Sequence, residues 1–222
     1  MHQSIINLTT INKEINDKIS ENDNKKKKVN IVAVSKTFKI IDIEPMINFG
    51  HTHFGENKVQ EAIDKWSDIK IYNKDIKLHL IGKLQTNKVK FVLPLFDYIH
   101  SLDSLKLAEK ISNEQSKKNF RPKIFVQVNI ANEIQKSGIE AKNLEAFLKS
   151  CRKDYDLDIL GLMCIPPINK NPEIYFKEMN LLNKKFGLND LSMGMSNDFI
   201  SAIDNGATYI RVGSKIFGER TI

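Results

Sequence analysis

Eight short strand-like runs alternate with helical segments along this chain, and no other feature limits the fold as much. The first run is Val29-Asn30-Ile31-Val32-Ala33-Val34-Ser35-Lys36, in which four of eight residues are Val or Ile. That is the profile of a short strand buried on both faces. Further runs follow at His51–Asn57, Ile76–Ile81, Phe96–His100, Ile124–Ile130, Leu157–Cys164, Asp190–Met193 and Thr208–Val212. Between them, helical spacing is read over Ile41–Phe49 (Pro45 in its first turn, Gly50 after it), around Val59, Ala62, Ile63 and Trp66, and over Leu84–Val92, Ser104–Ser112, Ala141–Cys151, Glu173–Phe186 and Asp198–Asn205. Ahead of everything, Ile5, Leu8, Ile11, Ile15 and Ile19 recur every three or four residues, one stripe of an amphipathic helix. Glu21–Lys28 reads as a solvated connector.

Eight strands alternating with helices in 222 residues predict a single α/β domain over 1–222, a (β/α)8 TIM barrel with an extra N-terminal helix. An open doubly wound sheet would give the same alternation, although no GxGxxG opens the first helix. The tail ends soon after Arg220, from which no second domain is expected.

Composition narrows the function classes. The formal charge is +7, but the only dense basic run is Lys25–Lys28, so a nucleic-acid partner is not expected. Cys151 and Cys164 lack any paired spacing for a metal or a redox couple, which fits reducing, cytoplasmic surroundings. No apolar run approaches about 18 residues, so no membrane span is expected.

Active sites of such barrels gather at the C-terminal strand ends. Lys36, Asn57, Ser196, Gly213 and Ser214 fall there, with Arg211 close by in the last strand. Lys36 either marks where its strand reaches solvent or supplies an amine nucleophile. Gly194 and Gly213 either permit tight turns or, with Ser196 and Ser214, line a phosphate cradle, since the loops after strands 7 and 8 are this fold's usual phosphate site. His51 and His53 read as sharing one strand face without a third metal ligand, His79 as a packed core residue, and His100 as a strand-end residue able to line the mouth. A phosphate cradle, an amine and an arginine together point to pyridoxal 5′-phosphate, held by Lys36 with Arg211 at its ring nitrogen.

Several segments then carry a family resemblance in order: Val32-Ala33-Val34-Ser35-Lys36-Thr37, Phe54-Gly55-Glu56-Asn57, His79-Leu80-Ile81-Gly82, Leu84-Gln85-Thr86-Asn87-Lys88, Lys136-Ser137-Gly138, Leu191-Ser192-Met193-Gly194-Met195-Ser196 and Arg211-Val212-Gly213-Ser214. The chain resembles the pyridoxal phosphate homeostasis proteins, which are related to the N-terminal barrel of alanine racemase. The resemblance implies Lys36 as the Schiff-base lysine, Asn57 as a polar contact near the ring, Ser196, Gly213 and Ser214 as the phosphate cradle, and Arg211 as the partner of the pyridine nitrogen. It implies a monomeric carrier that supplies the cofactor to dependent apo-enzymes, with little turnover. A racemase-like enzyme is the alternative, and a basic interaction module the third.

Overall fold

The computed structural model describes residues 1–21 and 28–219; most of the Glu21–Lys28 connector (residues 22–27) lies outside the described residues. The strands are β1 (Asn30–Val34), β2 (His53–Glu56), β3 (Lys77–Leu80), β4 (Tyr98–Leu102), β5 (Lys123–Gln127), β6 (Asp158–Met163), β7 (Asp190–Ser192) and β8 (Tyr209–Val212). The helices are α1 (Gln3–Glu21), α2 (Ile40–Asn48), α3 (Val59–Tyr72), α4 (Val89–Val92), α5 (Leu105–Lys118), α6 (Leu144–Lys153), α7 (Pro172–Lys185), α8 (Phe199–Asp204) and α9 (Ser214–Phe217). Every strand pairs in parallel with its sequence neighbour, and β8 returns to β1 from Asn30 against Tyr209 to Ala33 against Val212. The sheet therefore closes, and the open doubly wound alternative is excluded.

Strand alternation divides the core in two. Val32, Tyr98, Phe125, Met163 and Tyr209 pack together as one cluster inside the barrel. Their flanking residues, such as Ile31 and Ala33, join a larger cluster under the helices that includes the fully buried Trp66, Phe96 and Phe176. The α1 stripe behaves as its spacing predicts: Leu8, Ile11 and Ile15 are buried, each worth roughly 1.5–3 kcal/mol. This helix packs against α8 and α9, and Asn7 donates its side-chain N–H to the Ile216 carbonyl at 2.9 Å. The extra helix thus props the segment that begins at Ser214.

Four local expectations are corrected. Pro45 lies in the second turn of α2, because the helix begins at Ile40 and the missing N–H removes only one early hydrogen bond. The Leu84–Val92 helix is a 3-10 turn at Thr86–Lys88 followed by the four residues of α4. His51 precedes β2 and shares no strand face with His53; its ring bonds the His53 carbonyl at 2.9 Å instead. β4 starts two residues later than predicted, since Phe96 N–H still closes a helical turn on the Val92 carbonyl. His100 consequently sits mid-strand and fully buried, and does not line the mouth.

Candidate functional site

All six residues singled out from the sequence line one cleft of about 620 Å³ at the C-terminal strand ends: Lys36, Asn57, Ser196, Arg211, Gly213 and Ser214. Each arrives from a different local cause. Lys36 stands two residues beyond β1, in a turn, and is partly exposed. Asn57 follows β2 and is approached closely by Gly82 after β3: a Cβ on Gly82 would sit 2.3 Å from the Asn57 carbonyl oxygen, so no side chain fits there.

Ser196 is carried by the loop between β7 and α8. That loop turns at Gly194, whose φ of +90° and contact with Ala202 (2.6 Å to an added Cβ) admit only glycine. The Asp198 carboxylate then accepts the Met195 N–H at 2.6 Å and locks the turn. Ser214 Oγ lies 3.1 Å from Ser196 Oγ, and the Lys215 N–H donates to Ser196 Oγ at 3.4 Å. Two hydroxyls and the Lys215 N–H therefore converge beside Gly213, a donor set suited to phosphate oxygens. Two elements make this corner, the β7–α8 loop and the start of α9.

Arg211 forms the floor. It is the third residue of β8, only 5% exposed, and its guanidinium donates to Ser192 Oγ at 2.6 Å and to the Cys164 carbonyl at 2.9 Å. Burial lowers its pKa somewhat, yet a guanidinium keeps its charge, and both acceptors are neutral. The wall opposite is apolar: Ile165, Pro166, Pro167 and Ile168 follow β6. The proline pair Pro166-Pro167, shortly after β6, is the sequence signal for a rigid mouth wall. Lys170 and Asp198 also line the cleft and were not assigned from sequence. Among the lining residues there is no histidine, tyrosine or cysteine.

Behind Lys36 lies a buried polar cluster that sequence reasoning missed. Lys65 donates to the Ser35 carbonyl (2.9 Å), to Glu56 Oε1 (3.0 Å) and to Glu61 Oε1 (3.1 Å). Glu56, with no exposed surface, also accepts from Ser35 Oγ and Trp66 Nε1. Glu61 accepts the Thr37 N–H at 2.6 Å; burial would raise its pKa, but that bond and the Lys65 ammonium outweigh it and hold it low. Spacing alone signalled part of this, since Glu61 and Lys65 are four apart on α3. No group of three metal-ligating side chains occurs among the described residues.

An amine, a phosphate-type donor set and a fixed cation facing one another across an apolar-walled cleft fit pyridoxal 5′-phosphate in chemistry and size. Comparison with known proteins shows the family. The alanine racemase N-terminal domain profile matches residues 13–221. A pyridoxal phosphate homeostasis protein of Aquifex aeolicus is 38% identical over 199 residues, covering 86% of each chain. PipY of Synechococcus elongatus, solved with PLP bound, is 33% identical with a TM-score of 0.79, over 92% of this chain and all of that one. Alanine racemase of Clostridium difficile shares the fold alone, at 12% identity and a TM-score of 0.74, over all of this chain and 58% of that one.

Proposed function

This chain belongs to the pyridoxal phosphate homeostasis proteins of the alanine racemase N-terminal domain family, and from that premise we propose that it binds pyridoxal 5′-phosphate as a Schiff base on Lys36. The carrying observation is the convergence of Lys36, Ser196, Ser214 and Arg211 on one cleft. Residues 1–222 act as one cofactor-binding barrel domain, a monomer in the cytoplasm. Ser196 and Ser214 hydroxyls, with the N–H of Lys215, hold the phosphate. Asn57 flanks the ring, and Gly213 leaves room where a side chain would intrude. Arg211 keeps a positive charge at the ring nitrogen.

That last feature separates a carrier from an enzyme. The bound cofactor supplies an electron sink, which works best with a protonated ring nitrogen. A guanidinium at that position disfavours such protonation. Racemisation also requires acid–base groups on both faces of a carbon; besides Lys36 the cleft lining offers only Lys170 and Asp198, and Asp198 is engaged by the Met195 N–H. We therefore assign intracellular vitamin B6 homeostasis and cofactor supply to dependent apo-enzymes, with little or no turnover.

Titration of the purified protein with pyridoxal phosphate tests this. Wild type should gain a visible absorbance band that saturates at one equivalent, and Lys36→Ala should lack it. A colourless wild type, or brisk racemisation across a panel of amino acids, would count against the carrier.

A further inference from the structure

The barrel interior holds a line of hydrogen-bonded side chains that begins at the cleft floor and leads away from it. Arg211 on β8 donates to Ser192 on β7 (2.6 Å). Ser192 Oγ lies 2.7 Å from His100 Nδ1 on β4, His100 Nε2 lies 2.9 Å from His79 Nδ1 on β3, and His79 Nε2 lies 2.8 Å from His53 Nδ1 on β2. Five strands each contribute one residue. Ser192, His100 and His79 are fully buried, and Tyr98 stacks on the His79 ring at 4.1 Å.

Proton accounting gives this line a direction. A guanidinium has no acceptor, so Ser192 Oγ must accept from Arg211. The single hydroxyl proton of Ser192 then has His100 Nδ1 as its remaining buried partner. A His100 that donated from Nδ1 would leave that hydroxyl unsatisfied in the core, which costs about 1–3 kcal/mol. His100 therefore accepts at Nδ1 and carries its proton on Nε2. It donates to His79 Nδ1, which places the His79 proton on Nε2 as well, donated to His53 Nδ1. Burial, joined at His100 by the nearby Arg211 charge, holds both deep rings well below the ordinary histidine value, so each is neutral and has one proton to place.

We infer that Ser192, His100 and His79 are positioning residues for Arg211: they lock its guanidinium in one orientation at the cleft floor, and the arginine in turn fixes one tautomer along the whole line. No carboxylate takes part in it. Among the described residues Arg211 donates to two neutral oxygens, Ser192 Oγ and the Cys164 carbonyl, and the Asp198 carboxylate acts on it as a nearby charge without a hydrogen bond, so the guanidinium stays available to whatever occupies the cleft. That the occupant presents an electron-rich ring nitrogen rests on the pyridoxal phosphate reading. The tautomer lock does not.

The experiment has two arms. Long-range ¹H–¹⁵N correlation spectra of the protein without added ligand, at neutral pH, should show His79 and His100 both neutral with the proton on Nε2. Ser192→Ala should release His100 into a tautomer mixture and weaken pyridoxal phosphate binding about tenfold, the loss of one hydrogen bond to a charged group. Ser192→Thr, which keeps the hydroxyl, should stay near wild type in both. A wild-type His100 protonated on Nδ1, or doubly protonated, overturns the inference. So does a folded Ser192→Ala with wild-type tautomers and wild-type affinity. If wild type binds no pyridoxal phosphate, the function proposed above fails while the tautomer spectra still decide this one. They also decide it if Ser192→Ala does not fold.

Discussion

Lys36 owes its place to residues that never enter the cleft. The backbone on either side of it is pinned from α3: Lys65 holds the Ser35 carbonyl and Glu61 holds the Thr37 N–H. Thr37 adopts φ +70°, a left-handed conformation that a branched residue takes only when its surroundings impose it. Lys65 and Glu56 are 8% and 0% exposed at their side chains, so removing Lys65 leaves Glu56 as a buried charge without its cation. Lys65→Met should destabilise the protein by about 3–5 kcal/mol in urea unfolding and weaken cofactor binding. Adding Glu56→Gln should recover part of the lost stability. A single variant as stable as wild type would show that this clamp does not hold the Lys36 turn.

At the scale of elements, the strand count and order were legible in the sequence because a buried parallel strand is a continuous Val/Ile-rich run. The β1 run is of this kind. Boundaries were less legible. The strand-length reading of Phe96–His100 slid by two residues because Phe96 is equally apolar whether it ends a turn or starts a strand. That slip hid the histidine line, since only a mid-strand His100 can reach both His79 and Ser192. The six cleft residues were legible because the barrel's strand ends are where loops must turn, and Gly194, Gly213 and the serines mark those turns. Of the Lys65–Glu56–Glu61 cluster only the i,i+4 spacing of Glu61 and Lys65 was legible, because the buried pairing with Glu56 leaves no period in the sequence.

Across the whole molecule, one consequence of the fold is acid sensitivity. Burial, largest among the causes, pulls His51 and His53 down to about 4 from an ordinary 6.5, and moves His79 and His100 in the same direction. Below pH 6.5 the unfolded chain takes up protons that the folded barrel refuses. Their stabilising contribution is complete above that value and is lost as pH falls toward 4. At pH 5 each of His51 and His53 should cost about 2 kcal/mol. The urea midpoint should therefore drop clearly between pH 7 and pH 5, before most carboxylates titrate, and an unchanged midpoint would mean that these rings are already charged in the folded protein. The same closed barrel brings β1 beside β8, and with it Lys36 to the cleft that Arg211 floors.

The covalent role of Lys36 is tested most directly by borohydride reduction of the protein with bound pyridoxal phosphate, followed by peptide mapping. The reduced cofactor should be found on the peptide containing Lys36, at one per chain, and Lys36→Ala should carry none. Label on any other lysine in place of Lys36, or no label on a protein that binds the cofactor, would contradict the tether.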